Sequence, residues 1–172
     1  YATRVWAFVH DVIAPAIVEA ATAKFAAPLR QHYDALFGDA AAAAARLPQA
    51  ISGGRVMLRR PGYHLAPHRD PKRAMLTCLL YLAHPGDSEA YGTAVYRVAG
   101  DGEASFAETY YPGEHGHECS LVRTIPYRAN SMLIFVNGAG AHGASIPADA
   151  PPDLERYAFQ FYVGPEGEAL DA

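Results

Sequence analysis

Cysteine, lysine and tryptophan are scarce in this sequence of 172 residues, which holds two, two and one of them. Two cysteines, Cys78 and Cys119, are too few for a disulfide framework, and both are expected to be reduced. Twelve arginines and the two lysines face nine Asp and nine Glu, for a formal charge of −4. No basic run or stripe interrupts that balance, so nucleic acid is not an expected partner. No apolar stretch approaches the roughly 20 residues that cross a bilayer, and the opening YATRVWAFVHDV lacks a signal peptide's basic start and long apolar run. A membrane is therefore not an expected partner either, and the reading is a soluble, cytoplasmic protein. Internal repeats are absent, and the alanines near residue 42 are the only low-complexity run.

What is present suits one compact unit. About half of the residues, 51 %, are hydrophobic, enough for a sizeable core, so 1–172 reads as a single domain. Residues 11–37 carry apolar side chains at helical spacing, with Ile13, Ile17, Ala20, Ala21, Phe25, Leu29 and Leu36 on one face. Pro15 and Pro28 mark a start and a kink or break. The alanine-rich stretch 39–47 predicts a second helix, capped by Asp39 and ended by Pro48.

After Ser52-Gly53-Gly54 the pattern becomes short β-rich runs: RVMLRR, MLTCLLYL, GTAVYRV, SLVRTI, SMLIFV and RYAFQFYV. Helices over 1–50 followed by strands over 51–165 predict a mainly β fold, a sandwich or open barrel with supporting α-helices on one face. Long connections at 99–118 and 137–155 interrupt it, and loops of that length in a compact domain serve as functional lids or are disordered.

The chemistry concentrates in PHRDP at 67–71 and AHGAS at 141–145. On extended backbone side chains alternate, so His68 and Asp70 point the same way and can grip one metal ion from one strand end. Two His and one carboxylate hold one face of an octahedral Fe(II) and leave three positions for cosubstrate and O2. The third ligand must come from a distant strand, and His142 follows the very apolar SMLIFV. With eight His and nine Asp, chance supplies about 0.4 H-x-D pairs in such a chain, so the motif by itself carries little. Its setting between two β-runs, answered by a distant His, carries more.

Arg156 opens the last β-run, where a charged side chain is expensive to bury, and a guanidinium there suits a carboxylate held bidentately. Around the loops, Tyr63, His64, Arg97, Tyr110 and Tyr111 are candidates to line a substrate pocket, each equally readable as packing or surface. The segment GEHGHEC, with His115, His117, Glu118 and Cys119, reads as a lid rather than a second metal site. His10, His32 and His84 read as solvent-facing or helix-end residues, and Arg69 and Lys72 as a solvated rim.

At these residues the sequence resembles the Fe(II)/2-oxoglutarate-dependent dioxygenases, in particular their prolyl-hydroxylase-like branch, over about residues 55–163. The family's H-x-D is matched by His68-Arg69-Asp70, its next strand by Thr77-Cys78-Leu79-Leu80-Tyr81-Leu82, its distal histidine by His142, and the start of its cosubstrate strand by Arg156-Tyr157-Ala158. The resemblance implies a double-stranded β-helix, the cupin-like jelly roll, with Fe(II), 2-oxoglutarate and O2 as cofactor and cosubstrates. It also implies that Tyr81 shares the 2-oxoglutarate carboxylate with Arg156, and that the reaction hydroxylates an organic substrate, peptidyl or protein proline or a small metabolite, with release of succinate. The sequence departs from the family in placing Arg60 where a tyrosine often lines the pocket, and Gln160 where the last strand usually has a small hydroxyl residue. Asp70 argues against the halogenase variant, which vacates that ligand.

Two other readings keep the same residues: a metal-dependent cupin-type enzyme that does not use 2-oxoglutarate, and a non-catalytic jelly-roll binding module with an empty triad. A zinc hydrolase is disfavoured because H-E-x-x-H is absent. Substrate identity and oligomeric state are not legible in the sequence.

Overall fold

The computed structural model describes residues 2–100, 107–138 and 140–165, with the side chain of His10 outside that description. A long helix opens the chain: α1 (Ala2–Phe8) passes through a π-helical turn at Val9–Ile13 into α2 (Ala14–Lys24). The Ala14 N–H reaches back five residues to the Val9 carbonyl. That slip of register comes just before Pro15, which has no N–H to give and whose ring would crowd the carbonyl four residues back. By length and composition the 22 residues of Thr3–Lys24 are apolar enough to cross a membrane, which corrects the reading that no segment approaches that length. The break falls at Phe25, ahead of Pro28, which sits in the first turn of α3 (Ala26–Phe37) where an N–H is not needed. The alanine run yields less helix than its propensity suggests: a 3₁₀ turn at Gly38–Ala40, then only α4 (Ala41–Ala44), and Asp39 makes no capping bond.

Eight strands follow: β1 (Gln49–Arg59), β2 (His64–His68), β3 (Leu76–Tyr81), β4 (Thr93–Val98), β5 (Cys119–Ile125), β6 (Ser131–Val136), β7 (Ala141–Ser145) and β8 (Arg156–Pro165). They form two four-stranded sheets in the orders β1-β8-β3-β6 and β2-β7-β4-β5, with antiparallel pairing throughout. The chain changes sheet at every step except the β4–β5 hairpin. The fold is mainly β and compatible with a jelly roll. Two strands lie outside the six β-runs of the sequence: β2, between the first run and the second, and β7, inside the 137–155 connection.

Alternation along the strands sorts two environments. From β3 and β8, Leu76, Cys78, Phe161 and Val163 face the helices and pack with Ala21, Leu29 and Tyr33 into the larger core. Fully burying a side chain such as Leu76 or Phe161 contributes about 1.5–3 kcal/mol. The intervening positions Thr77, Leu79, Tyr81 and Ala158 point into the space between the sheets; Leu79, Tyr81, Ala158 and Tyr127 form a smaller cluster there. Cys78 is wholly buried, and burial pushes its thiol up to about 12; both cysteines are free thiols, as expected.

His32 corrects another reading. It is buried, and its Nε2–H donates to the Lys72 carbonyl at 3.3 Å, so α3 braces the turn that follows the H-x-D motif.

Candidate metal centre

One sheet, β2-β7-β4-β5, brings the histidines together by register. In the β2–β7 ladder His68 lies directly opposite His142, with a bulge between Leu65 and His68 that takes Pro67, a residue with no ladder donor to give. Close approach here needs glycine: a Cβ at Gly143 would stand 2.7 Å from the Leu65 carbonyl oxygen, so any side chain beside His142 would force the strands apart. Asp70, two residues beyond His68, turns to the same side. The three side chains are buried, at 5 %, 3 % and 6 % exposure for His68, Asp70 and His142. His68 Nε2 is 3.7 Å from Asp70 Oδ1, His142 Nε2 is 3.6 Å from Asp70 Oδ2, and the imidazole centroids are 4.1 Å apart.

Two of the three ligands are held from behind by hydrogen bonds. The His68 Nδ1–H donates to the Ala66 carbonyl at 2.9 Å, which leaves the Nε2 lone pair facing the centre. Asp70 Oδ2 accepts from the Thr77 hydroxyl at 2.6 Å, and Thr77 Oγ1 accepts from the Asn137 amide at 2.7 Å. Asn137 also donates to the Ala74 carbonyl, closing the chain of bonds onto the backbone. Tyr162 donates to Asp70 Oδ1 at 3.4 Å, and its phenol is pushed up to about 12 by burial and by the Asp70 charge, so it stays a donor. Burial first, and the neighbouring His68 second, push His142 down to about 4 against the pull of Asp70. A neutral buried imidazole cannot balance a buried carboxylate.

These residues fit a divalent cation. The spacings are too long for hydrogen bonds between the ligand groups, and all three ligand atoms lie within 4.8 Å of one another. Cis ligands at about 2.1 Å from a common ion would stand roughly 3 Å apart, so small side-chain movements close the site. Two imidazoles and one carboxylate have the composition of the facial triad. Among the described residues no other group of three such ligands exists.

A cavity of about 180 Å³ opens against the triad, walled by β1 and β8 on one side and by Tyr63, Thr109 and Tyr111 on another. Arg156 lies in that wall at 4 % exposure, with no carboxylate within ion-pairing distance among the described residues. Its Nε donates to the Tyr91 carbonyl, and its guanidinium stands 5.5 Å and 5.0 Å from the ring centroids of Tyr81 and Tyr127. Burial lowers its pKa and the two tyrosines oppose that shift. Tyr81 lies behind Arg156 and donates to Thr93 Oγ1 at 2.8 Å; Thr93, not Tyr81, reaches the cavity surface.

The other candidates divide. Tyr63 and Tyr111 line the cavity, and the Tyr111 ring is 5.6 Å from that of His68. Arg60 does not: its side chain is 64 % exposed and pairs with Glu155 outside, because alternation on β1 turns Arg59 inward instead. Arg97 is exposed near the end of β4, beyond the cavity. His64 is exposed on β2. Of the 99–118 connection, residues 99–100 and 107–118 are described. Tyr110 forms a two-way β-bridge with Arg69, at 2.8 and 3.0 Å, and Arg69 Nε donates to the Gly140 carbonyl. His115 stacks on Tyr110 at 4.7 Å and His117 meets the Ala99 carbonyl, so this segment gathers no second metal site. Sequence reasoning missed Arg55, Arg59, Thr77, Asn137 and Tyr162. The polar residues on one face of β8, Arg156, Gln160 and Tyr162, with only Ala158 between them on that face, were the available signal.

Solved structures similar to this chain include the following two. One is a Pseudomonas putida prolyl-4-hydroxylase, at TM-score 0.41 and 20 % identity, covering 70 % of this chain and 54 % of that one. The other is apo HygX from Streptomyces hygroscopicus, at TM-score 0.38 and 16 % identity, covering 77 % and 66 %. The chain thus spans about half the length of the prolyl-4-hydroxylase and about two thirds of HygX. No family model and no curated protein matches it.

Proposed function

We propose that this chain is an Fe(II)- and 2-oxoglutarate-dependent dioxygenase that hydroxylates an organic substrate, built on a double-stranded β-helix. One observation carries the reading: a buried His68–Asp70–His142 triad and a buried guanidinium without an acidic partner face the same small cavity. The alternation of sheets along the chain and the two strand orders support the β-helix. Bound at the triad, Fe(II) would supply the activation of O2, and 2-oxoglutarate the electrons, for C–H hydroxylation.

The chain's own residues set the terms. His68 and His142 offer neutral nitrogens, one fixed by Ala66 and the other kept unprotonated by burial. Thr77 and Tyr162 orient the Asp70 carboxylate, so only small side-chain movements are left for an ion to make. Arg156 has donors free to take the far carboxylate of a keto diacid, and its desolvated position strengthens that contact. Tyr63 and Tyr111 line the same cavity and would limit the water beside a bound substrate.

Anaerobic titration with Fe(II) and 2-oxoglutarate tests the reading. The expected result is a weak visible charge-transfer band, lost in His142→Ala and Asp70→Ala, followed in air by release of succinate. A folded chain that binds Fe(II) but shows no band and no effect of 2-oxoglutarate would favour a cupin-type enzyme without this cosubstrate. A chain with no Fe(II) affinity would leave a binding module.

A further inference from the structure

The wall that holds Arg156 carries more positive charge than one keto diacid accounts for. In the β1–β8 ladder Arg55 lies opposite Gln160 and Arg59 opposite Arg156. Residues two apart share a face, so Arg55 and Arg59 turn toward the same space as Arg156, and all three line the cavity. Like charges directly opposite on neighbouring strands are destabilising unless something anionic separates them. Among the described residues lining the cavity the only acid is Asp70. With a divalent ion, Asp70 and a dicarboxylate in place, the half-buried Arg59 and the more exposed Arg55 still have no acidic partner in the cavity.

Arginines elsewhere on the molecule have found acids: Arg60 pairs with Glu155, and Arg128 with Glu89. Arg55 instead gives two donors to the neutral Gln160 Oε1, at 3.2 and 2.8 Å. Arg59 meets the Leu58 carbonyl and Met57 sulfur and stands 4.5 Å above the Tyr63 ring. Weak, neutral acceptors hold both guanidiniums ready without satisfying their charge.

We propose that Arg55 and Arg59 bind an acidic group of the substrate, so that the chain acts on a small organic acid rather than on a neutral residue of a protein. The small size follows from a cavity of about 180 Å³ that must also admit the cosubstrate. The inference rests on the cosubstrate reading, because assigning Arg156 to 2-oxoglutarate is what leaves the other two over.

The test is calorimetric titration of the chain loaded with Mn(II) and saturating 2-oxoglutarate, without oxygen and at physiological ionic strength. The probes are glutarate, its neutral diamide, and a glutamate-containing decapeptide. One glutarate per chain is expected, with no binding of the diamide. Arg55→Gln and Arg59→Gln should each weaken glutarate about tenfold or more, the usual effect of losing a bond to a charged group. Their affinity for 2-oxoglutarate should match wild type, which also shows that they fold, whereas Arg156→Gln loses it. Arg60→Gln, outside the cavity, should change nothing. Equal binding of glutarate and diamide, no binding of glutarate beside 2-oxoglutarate, or an Arg59→Gln variant as deficient in 2-oxoglutarate as Arg156→Gln would each overturn the proposal. A decapeptide that binds more tightly than glutarate would overturn the small-molecule assignment. If wild type fails to bind 2-oxoglutarate at all, the cosubstrate reading falls and takes this one with it; failure of this inference alone leaves that binding intact.

Discussion

Asp70→Asn separates what the metal site costs from what it does. The carboxylate is 3 % exposed, and the nearest groups able to carry positive charge are imidazoles 3.7 and 3.6 Å away, one of them held neutral by burial. A buried charge without a full counter-charge costs several kcal/mol, and asparagine keeps the shape and can still accept from Thr77. The metal-free variant should therefore gain about 2 kcal/mol, which for a chain of this size raises Tm by roughly 4–8 °C. Metal should act in the opposite sense on the comparison. At about 100 times its Kd an ion stabilises the wild-type chain by about 2.7 kcal/mol, or roughly 5–11 °C, and a neutral amide ligand forfeits that gain. Thermal unfolding with and without Mn(II), or Fe(II) under nitrogen, measures both numbers. A variant that melts below wild type when metal-free, and rises as far as wild type when the ion is added, would refute the reasoning and leave Asp70 a structural residue.

Thr77→Val removes the 2.6 Å donor to Asp70 and an acceptor of Asn137, so it should lose about 1–3 kcal/mol of stability and weaken Mn(II) binding 10- to 100-fold in a metal titration. Arg156→Lys keeps the charge but not the planar fork; the KM for 2-oxoglutarate should rise at least tenfold while Mn(II) affinity holds. His32 titrates below the ordinary imidazole value of 6.5 because burial opposes its charge. The unfolded chain then takes up that proton first as pH falls, so stability present above 6.5 declines below it, and His32→Gln should flatten that part of a denaturation profile against pH.

Much of the architecture was legible because strands in a two-sheet fold alternate between two demands. MLTCLLYL and RYAFQFYV announce themselves by apolar β-formers, and SMLIFV coincides with β6. β2 and β7 stayed hidden because they are short and carry His, Pro and Gly, the residues the site requires rather than those a strand prefers. His68 and Asp70 were legible from their spacing together with the β-runs on either side, while His142 needed the apolar strand before it as a pointer. Arg59 was not, since choosing between it and Arg60 depends on the parity of β1, which the bulge between Ser52 and Arg55 resets. The alanine run misled for a related reason. Helix propensity there is high, yet Gly38 at φ +50° ends α3 and fixes the turn before it can act.

The bridge between Tyr110 and Arg69 ties the loop after β4 to the metal-binding motif. Arg69 is the residue between two metal ligands, and both its N–H and its carbonyl are engaged by the loop. Residues 107–118 are thus hydrogen-bonded to the peptide that joins His68 to Asp70, so a shift of Tyr110 would load the stretch of backbone that sets the spacing of those two ligands.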